Sequence, residues 1–77
     1  MLKIILGTTG DKSRRKILKT LKTKGPLNRN QISHETGLTW TTKDRQLKWL
    51  LQYGFIEDFT VGKRKYFKIK EKFRDFF

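Results

Sequence analysis

Thr41, Thr42, Arg45, Gln46 and Lys48 crowd hydroxyl, guanidinium, amide and ammonium groups into about two helical turns, with Asp44 as the one acid among them. This set cannot assemble a nucleophile or a metal site, but it is rich in hydrogen-bond donors. A forked guanidinium can pair with guanine O6 and N7, a threonine can donate to a phosphate or base edge or pack on a thymine methyl, and an ammonium neutralises phosphate. The partner that this chemistry suits is a polyanion with readable edges.

The spacing predicts the helix that would carry these groups. At about 100° per residue, Trp40, Lys43, Leu47, Leu50 and Leu51 fall on one side, while Thr41, Thr42, Arg45 and Trp49 face the other. Thr39 can cap its start and Gly54 ends it. Arg45 is the candidate base reader, with a phosphate contact as its alternative. Contact is preferred over ordinary helix-start chemistry for Thr42, and less so for Thr41, because Thr39 already supplies a cap. Gln46 and Lys48 flank the outer face as backbone binders. Trp40, one heptad before Leu47, is expected to pack between helices. Trp49 points away from the core, where an exposed indole would serve groove contact, packing beneath a hairpin or a subunit interface.

Two further helices precede this one. From Asp11, a potential cap, Ile17, Leu18 and Leu21 share a face, and Gly25-Pro26 ends the pattern. The cations Lys12, Arg14, Arg15, Lys16, Lys19 and Lys22 spread around this first helix, so only a subset can face a ligand. Asn28 and Gln31 then form an Asn version of the capping box, opening a short second helix that turns Ile32 inward and stops near Thr36 at Gly37. Leu38 returns to the core. Arg29, Asn30, Ser33 and His34 on that helix are candidate phosphate contacts. With no second His and no Cys, His34 reads as a surface residue rather than a metal ligand. Met1–Leu6 fits either a short strand or a helical turn, broken by Gly7–Gly10.

Downstream, Phe55–Thr60 and Lys65–Ile69 are rich in aromatic and β-branched residues and flank Gly62-Lys63, suiting a two-residue hairpin turn. The register pairs Phe59 with Tyr66, Glu57 with Lys68 and Ile56 with Ile69, so an aromatic pair and an opposite-charge pair share one face while aliphatics share the other. The tip carries Lys63, Arg64 and Lys65, which could reach a minor groove or phosphate instead of merely being solvated. Phe73, Phe76 and Phe77 recur at helical spacing on a tail that must cover the core or join a symmetric dimer.

Composition sets the bounds. The 77 residues hold 19 Lys and Arg against 7 Asp and Glu, a net charge of +12 that favours a polyanionic partner. With no Cys, disulfides, zinc fingers and Cys-based catalysis are excluded. No apolar run approaches the roughly 20 residues that span a bilayer, so the protein is expected to be soluble and cytoplasmic, on the nucleoid or in the cytoplasm of a host cell, with no membrane partner. Two Trp, two Tyr and six Phe argue against disorder. One domain is expected over 1–77, its core about 11–70 and an aromatic tail over 71–77. No cofactor site or small-molecule effector pocket is legible.

Three helices with two short turns, then Gly54 and a hairpin, resemble the winged-helix DNA-binding family over about residues 11–70. Arg15-Lys-Ile-Leu18 is similar to that family's first-helix signature, Gln31-Ile-Ser-His-Glu-Thr-Gly-Leu38 to its second helix and turn, and Leu47-Lys-Trp-Leu50 with Gly54-Phe-Ile56 to its third helix and the start of its wing. The compact, Lys-rich style resembles regulators of archaea and their plasmids and viruses. The resemblance implies an α+β fold, a winged helix-turn-helix of three helices plus a C-terminal β-hairpin wing. It also implies a sequence-specific regulator on double-stranded DNA, most simply a homodimer on a pseudo-palindromic site. Lys43 departs from the pattern, standing where the family has a small apolar residue: either its stem snorkels along the core edge or the helix is rotated by one position. The alternatives are a non-specific architectural binder, an RNA-binding domain that stacks bases on Trp49 and Tyr53, and a protein adaptor. Enzymatic action is the weakest.

Overall fold

The computed structural model describes residues 11–76. The expectations for Met1–Leu6 and Gly7–Gly10, the Asp11 cap, and the side chains of Phe76 and Phe77 lie outside the described residues. The elements run α1 (Asp11–Lys24), β1 (Leu27–Asn28), α2 (Arg29–Thr36), α3 (Trp40–Gln52), β2 (Ile56–Val61), β3 (Arg64–Ile69) and a 3-10 turn (Glu71–Phe76).

Local chemistry sets these boundaries. The Gln31 N–H donates to Asn28 Oδ1 at 2.8 Å and the Asn28 N–H donates to Gln31 Oε1 at 2.9 Å, so the reciprocal cap read from the sequence opens α2. The Gly37 N–H closes that helix on the Ser33 carbonyl at 2.8 Å. Thr39 caps α3, accepting from the Thr42 N–H at 3.3 Å. At the far end, the Gly54 N–H reaches the Leu51 carbonyl and the Phe55 N–H the Leu50 carbonyl, a Schellman arrangement that requires the left-handed φ of 76° at Gly54.

The sheet is antiparallel in the order β1-β3-β2. Between β2 and β3 the register is the expected one, with Phe59 opposite Tyr66, Glu57 opposite Lys68 and Ile56 opposite Ile69. Gly62, at φ 64°, takes the first central position of the two-residue turn, where a positive φ matches the strand twist. The sequence predicts two strands, but the sheet has a third, because Leu27 and Asn28 pair with Phe67 and Tyr66. Two residues are too few to show an alternating pattern, and tertiary approach to β3 makes them a strand.

Ile17, Leu18 and Leu21 of α1, Leu27, Ile32 of α2, Leu47 and Leu50 of α3, and Phe55, Ile56, Phe67, Ile69 and Phe73 form the core. Burying such side chains contributes about 1.5–3 kcal/mol each. Phe73 tilts against Phe55 with ring centroids 4.9 Å apart, so this part of the tail covers the core as expected. No helix among the described residues is long and apolar enough to cross a membrane.

Candidate nucleic-acid interface

Along α3, Thr41, Arg45, Lys48 and Gln52 are exposed at i, i+4, i+7 and i+11, one stripe opposite the buried Lys43, Leu47 and Leu50. Gln52 is the addition to the residues expected there; as a polar residue near the helix end, it is distinguished by the stripe alone. Thr42 is half-buried, and its hydroxyl lies 2.9 Å from the Thr39 hydroxyl inside the helix cap. Of the two threonines, Thr41 presents more of itself to solvent.

Two expected contacts move inside. Gln46 is only 6% exposed, and its Oε1 accepts from Arg14 Nη1 at 2.8 Å. Arg14, expected among the solvated cations of α1, is buried, and its guanidinium carbon stands 3.9 Å from the centroid of the Trp49 ring. Gln46 and Arg14 meet where α1 packs on α3, and that contact withdraws both from the surface. Ser33 leaves it too: its Oγ is shielded from solvent, so it cannot reach phosphate as placed.

The tryptophans exchange roles. Trp49 was expected to point outward, but it is half-buried and packs against the core, 4.3 Å from Tyr53 and stacked with Phe55 at 6.1 Å. Trp40 was expected between helices and is 52% exposed. A helical wheel gives a direction but no depth: Trp40 is the first residue of α3, while Trp49 lies beside Arg14 of α1 and Phe55. Beneath Trp40, the Lys43 Nζ sits 2.9 Å from the ring centroid and 3.2 Å from Asp44 Oδ1. The stem of Lys43 therefore runs inward and its ammonium is roofed by the indole. Burial holds the Lys43 pKa below lysine's ordinary 10.5, against the opposing pull of Asp44.

The acids are mostly paired away from the α3 stripe. Glu35 meets Lys24 at 3.5 Å, Asp44 meets Arg29 at 3.2 Å, Glu57 meets Lys68 at 3.4 Å and Asp58 meets Lys65 at 3.6 Å. Exposed pairs of this kind contribute about 0–1 kcal/mol each. Among the described residues, Arg45 and Lys48 on α3 and Lys63 and Arg64 at the hairpin tip are left without an acidic partner. Arg29, Asn30, Arg64 and Lys65, all expected at the interface, converge with Asn28 and Trp40 around an open groove of about 240 Å³. Trp40 is the site residue that its heptad spacing to Leu47 concealed.

Residues 10–57 match the family model of winged helix-turn-helix DNA-binding domains. Among solved structures, the Zα domain of PKZ from Carassius auratus, in complex with Z-DNA, is 22% identical with a TM-score of 0.71, over 80% of this chain and 98% of that one. A homodimeric winged helix-turn-helix DNA-binding domain from Mycobacterium bovis, described as a possible ArsR-family transcriptional regulator, is 31% identical with a TM-score of 0.68, over 78% of this chain and 56% of that one. A crystal structure of a possible transcriptional regulatory protein from the same organism is 27% identical with a TM-score of 0.72, over 92% and 72%. No curated protein matches the chain at a significant level.

Proposed function

Because the chain belongs to the winged helix-turn-helix DNA-binding family, we propose that it is a transcription regulator that reads a specific site on double-stranded DNA. In this reading α3 lies in the major groove, and the β2–β3 hairpin is the wing, resting on the adjacent backbone or minor groove. Arg45 reads a base edge. Thr41, Thr42 and Lys48 contact bases or backbone beside it, and Lys63, Arg64 and Lys65 hold phosphates from the wing. Arg29 and Asn30 add contacts from α2, Gln46 joins Arg14 between α1 and α3, Ser33 stays off the DNA surface, and Trp49 packs under Arg14.

The observation that carries this reading is the exposed stripe Thr41, Arg45, Lys48 on α3, with cations that have no acidic partner among the described residues. A homodimer is part of the proposal, supported by the homodimeric domain from Mycobacterium bovis. Two-fold symmetry would place its half-sites about 10 base pairs apart. Selection from randomised duplex DNA tests both elements: a recovered consensus with an inverted repeat supports them, and no enrichment overturns the specific reading.

The net charge of +12 favours a second reading, a non-specific architectural binder. Competition separates the two. Random duplex that displaces a selected site as well as the site itself does would favour the architectural role.

A further inference from the structure

The groove at the start of α3 is smaller than the roughly 300–1,000 Å³ of pockets for drug-sized ligands. Its lining is cationic and amide-bearing, with one aromatic plane and no acid: Asn28, Arg29, Asn30, Trp40, Arg64 and Lys65. We infer that this groove holds a single unpaired nucleobase of DNA, stacked on the Trp40 indole, with the flanking phosphate on Arg64 and Lys65. The inference rests on the DNA-binding reading above and adds to it a site for a base outside the double helix.

Three observations carry it. A tryptophan half exposed on a charged surface keeps apolar area in water that a stacked base would cover. The indole is also held in place. The Lys43 Nζ lies 2.9 Å from its centroid, Asp44 binds that ammonium at 3.2 Å, and Arg29 binds the same Asp44 oxygen at 3.2 Å. A platform fixed in advance loses little side-chain entropy when a base arrives. Finally, the cation against one face draws electron density through the ring, which makes the other face a better partner for an electron-rich purine than for another cation.

Recognition would then divide between a ring face that accepts any base and an Asn30 amide able to hydrogen-bond a base edge. Such a nucleotide is available where a duplex has a bulge, a mismatch or a frayed end. Arg64, which has no acidic partner among the described residues, and Lys65, 3.6 Å from Asp58, stand on the wing side of the groove to receive its phosphate.

The test compares three duplexes of one sequence by fluorescence anisotropy: fully paired, with one extrahelical guanine, and with an extrahelical abasic residue at the same place. The wild type is expected to bind the guanine bulge roughly tenfold more tightly than the abasic bulge, with quenching of indole emission by the first and not the second. Trp40→Leu should bring that ratio to one, and Trp40→Phe should retain part of it. Equal affinity of the wild type for the two bulges, alongside binding of paired duplex, overturns this inference and leaves the DNA-binding reading standing. Binding to none of the three overturns both. If Trp40→Leu does not fold, the wild-type ratio and the quenching decide, since neither needs the variant.

Discussion

The Arg14 guanidinium lies over Trp49 with its central carbon 3.9 Å from the ring centroid, while its Nη1 donates to Gln46 Oε1. This cation is structural, joining α1 to two successive turns of α3. Removing it leaves a buried amide oxygen without its donor and uncovers an aromatic face. Arg14→Ala should lower unfolding free energy by about 2–3 kcal/mol in denaturant melts.

Lys43 has the opposite sign. Its pKa is lowered in the folded state and stands near 10.5 in the unfolded chain, so the unfolded chain binds the proton more tightly. The resulting penalty is fully present below the folded pKa and is relieved as pH rises through that value toward 10.5. Lys43→Met removes that penalty together with the Asp44 pairing and the Trp40 contact, so any gain over the wild type should be greatest at pH 7 and below. The gain should shrink in melts at progressively higher alkaline pH; a gain that grows with pH would contradict the assignment.

Gly54 supplies a test of backbone strain alone. A Cβ built there would come no closer than 3.7 Å to the Lys70 Nζ, an ordinary contact, so the cost of Gly54→Ala lies in the φ of 76°. The expected loss is about 1–2 kcal/mol by thermal or chemical unfolding.

On DNA, Arg45→Ala and Lys63→Ala should separate base reading from phosphate holding. The first should relax preference at one or two positions of a selected site, worth about 1–3 kcal/mol of discrimination. The second should weaken all sequences alike and flatten the plot of log affinity against log salt by about one unit. Identical behaviour of the two variants would reject this division of labour.

What the sequence makes legible follows from how local each determinant is. The capping pair Asn28 and Gln31, the stop at Gly37 and the register through Phe59–Tyr66 are decided by residues close in sequence or by one tight turn, and all are readable. The exposed Arg45 stripe is readable because Leu47 and Leu50 fix the opposite face. Arg14, Gln46, Trp40 and Trp49 are misread for one shared reason: their depth depends on which other element lies over them. Helical angle cannot report that Arg14 of α1 lies over Gln46 and Trp49 while Trp40 stays half exposed. Leu27 and Asn28 become a strand only because β3 lies beside them.

Asn28 belongs to two structures at once. Its backbone is half of the short strand that pairs with Tyr66 in the wing, and its side chain starts α2. A single residue therefore joins the hairpin to the first turn of that helix, its backbone paired with β3 and its side chain accepting from the Gln31 N–H. Hinging of the hairpin against α2 would have to break either that strand pairing or that cap.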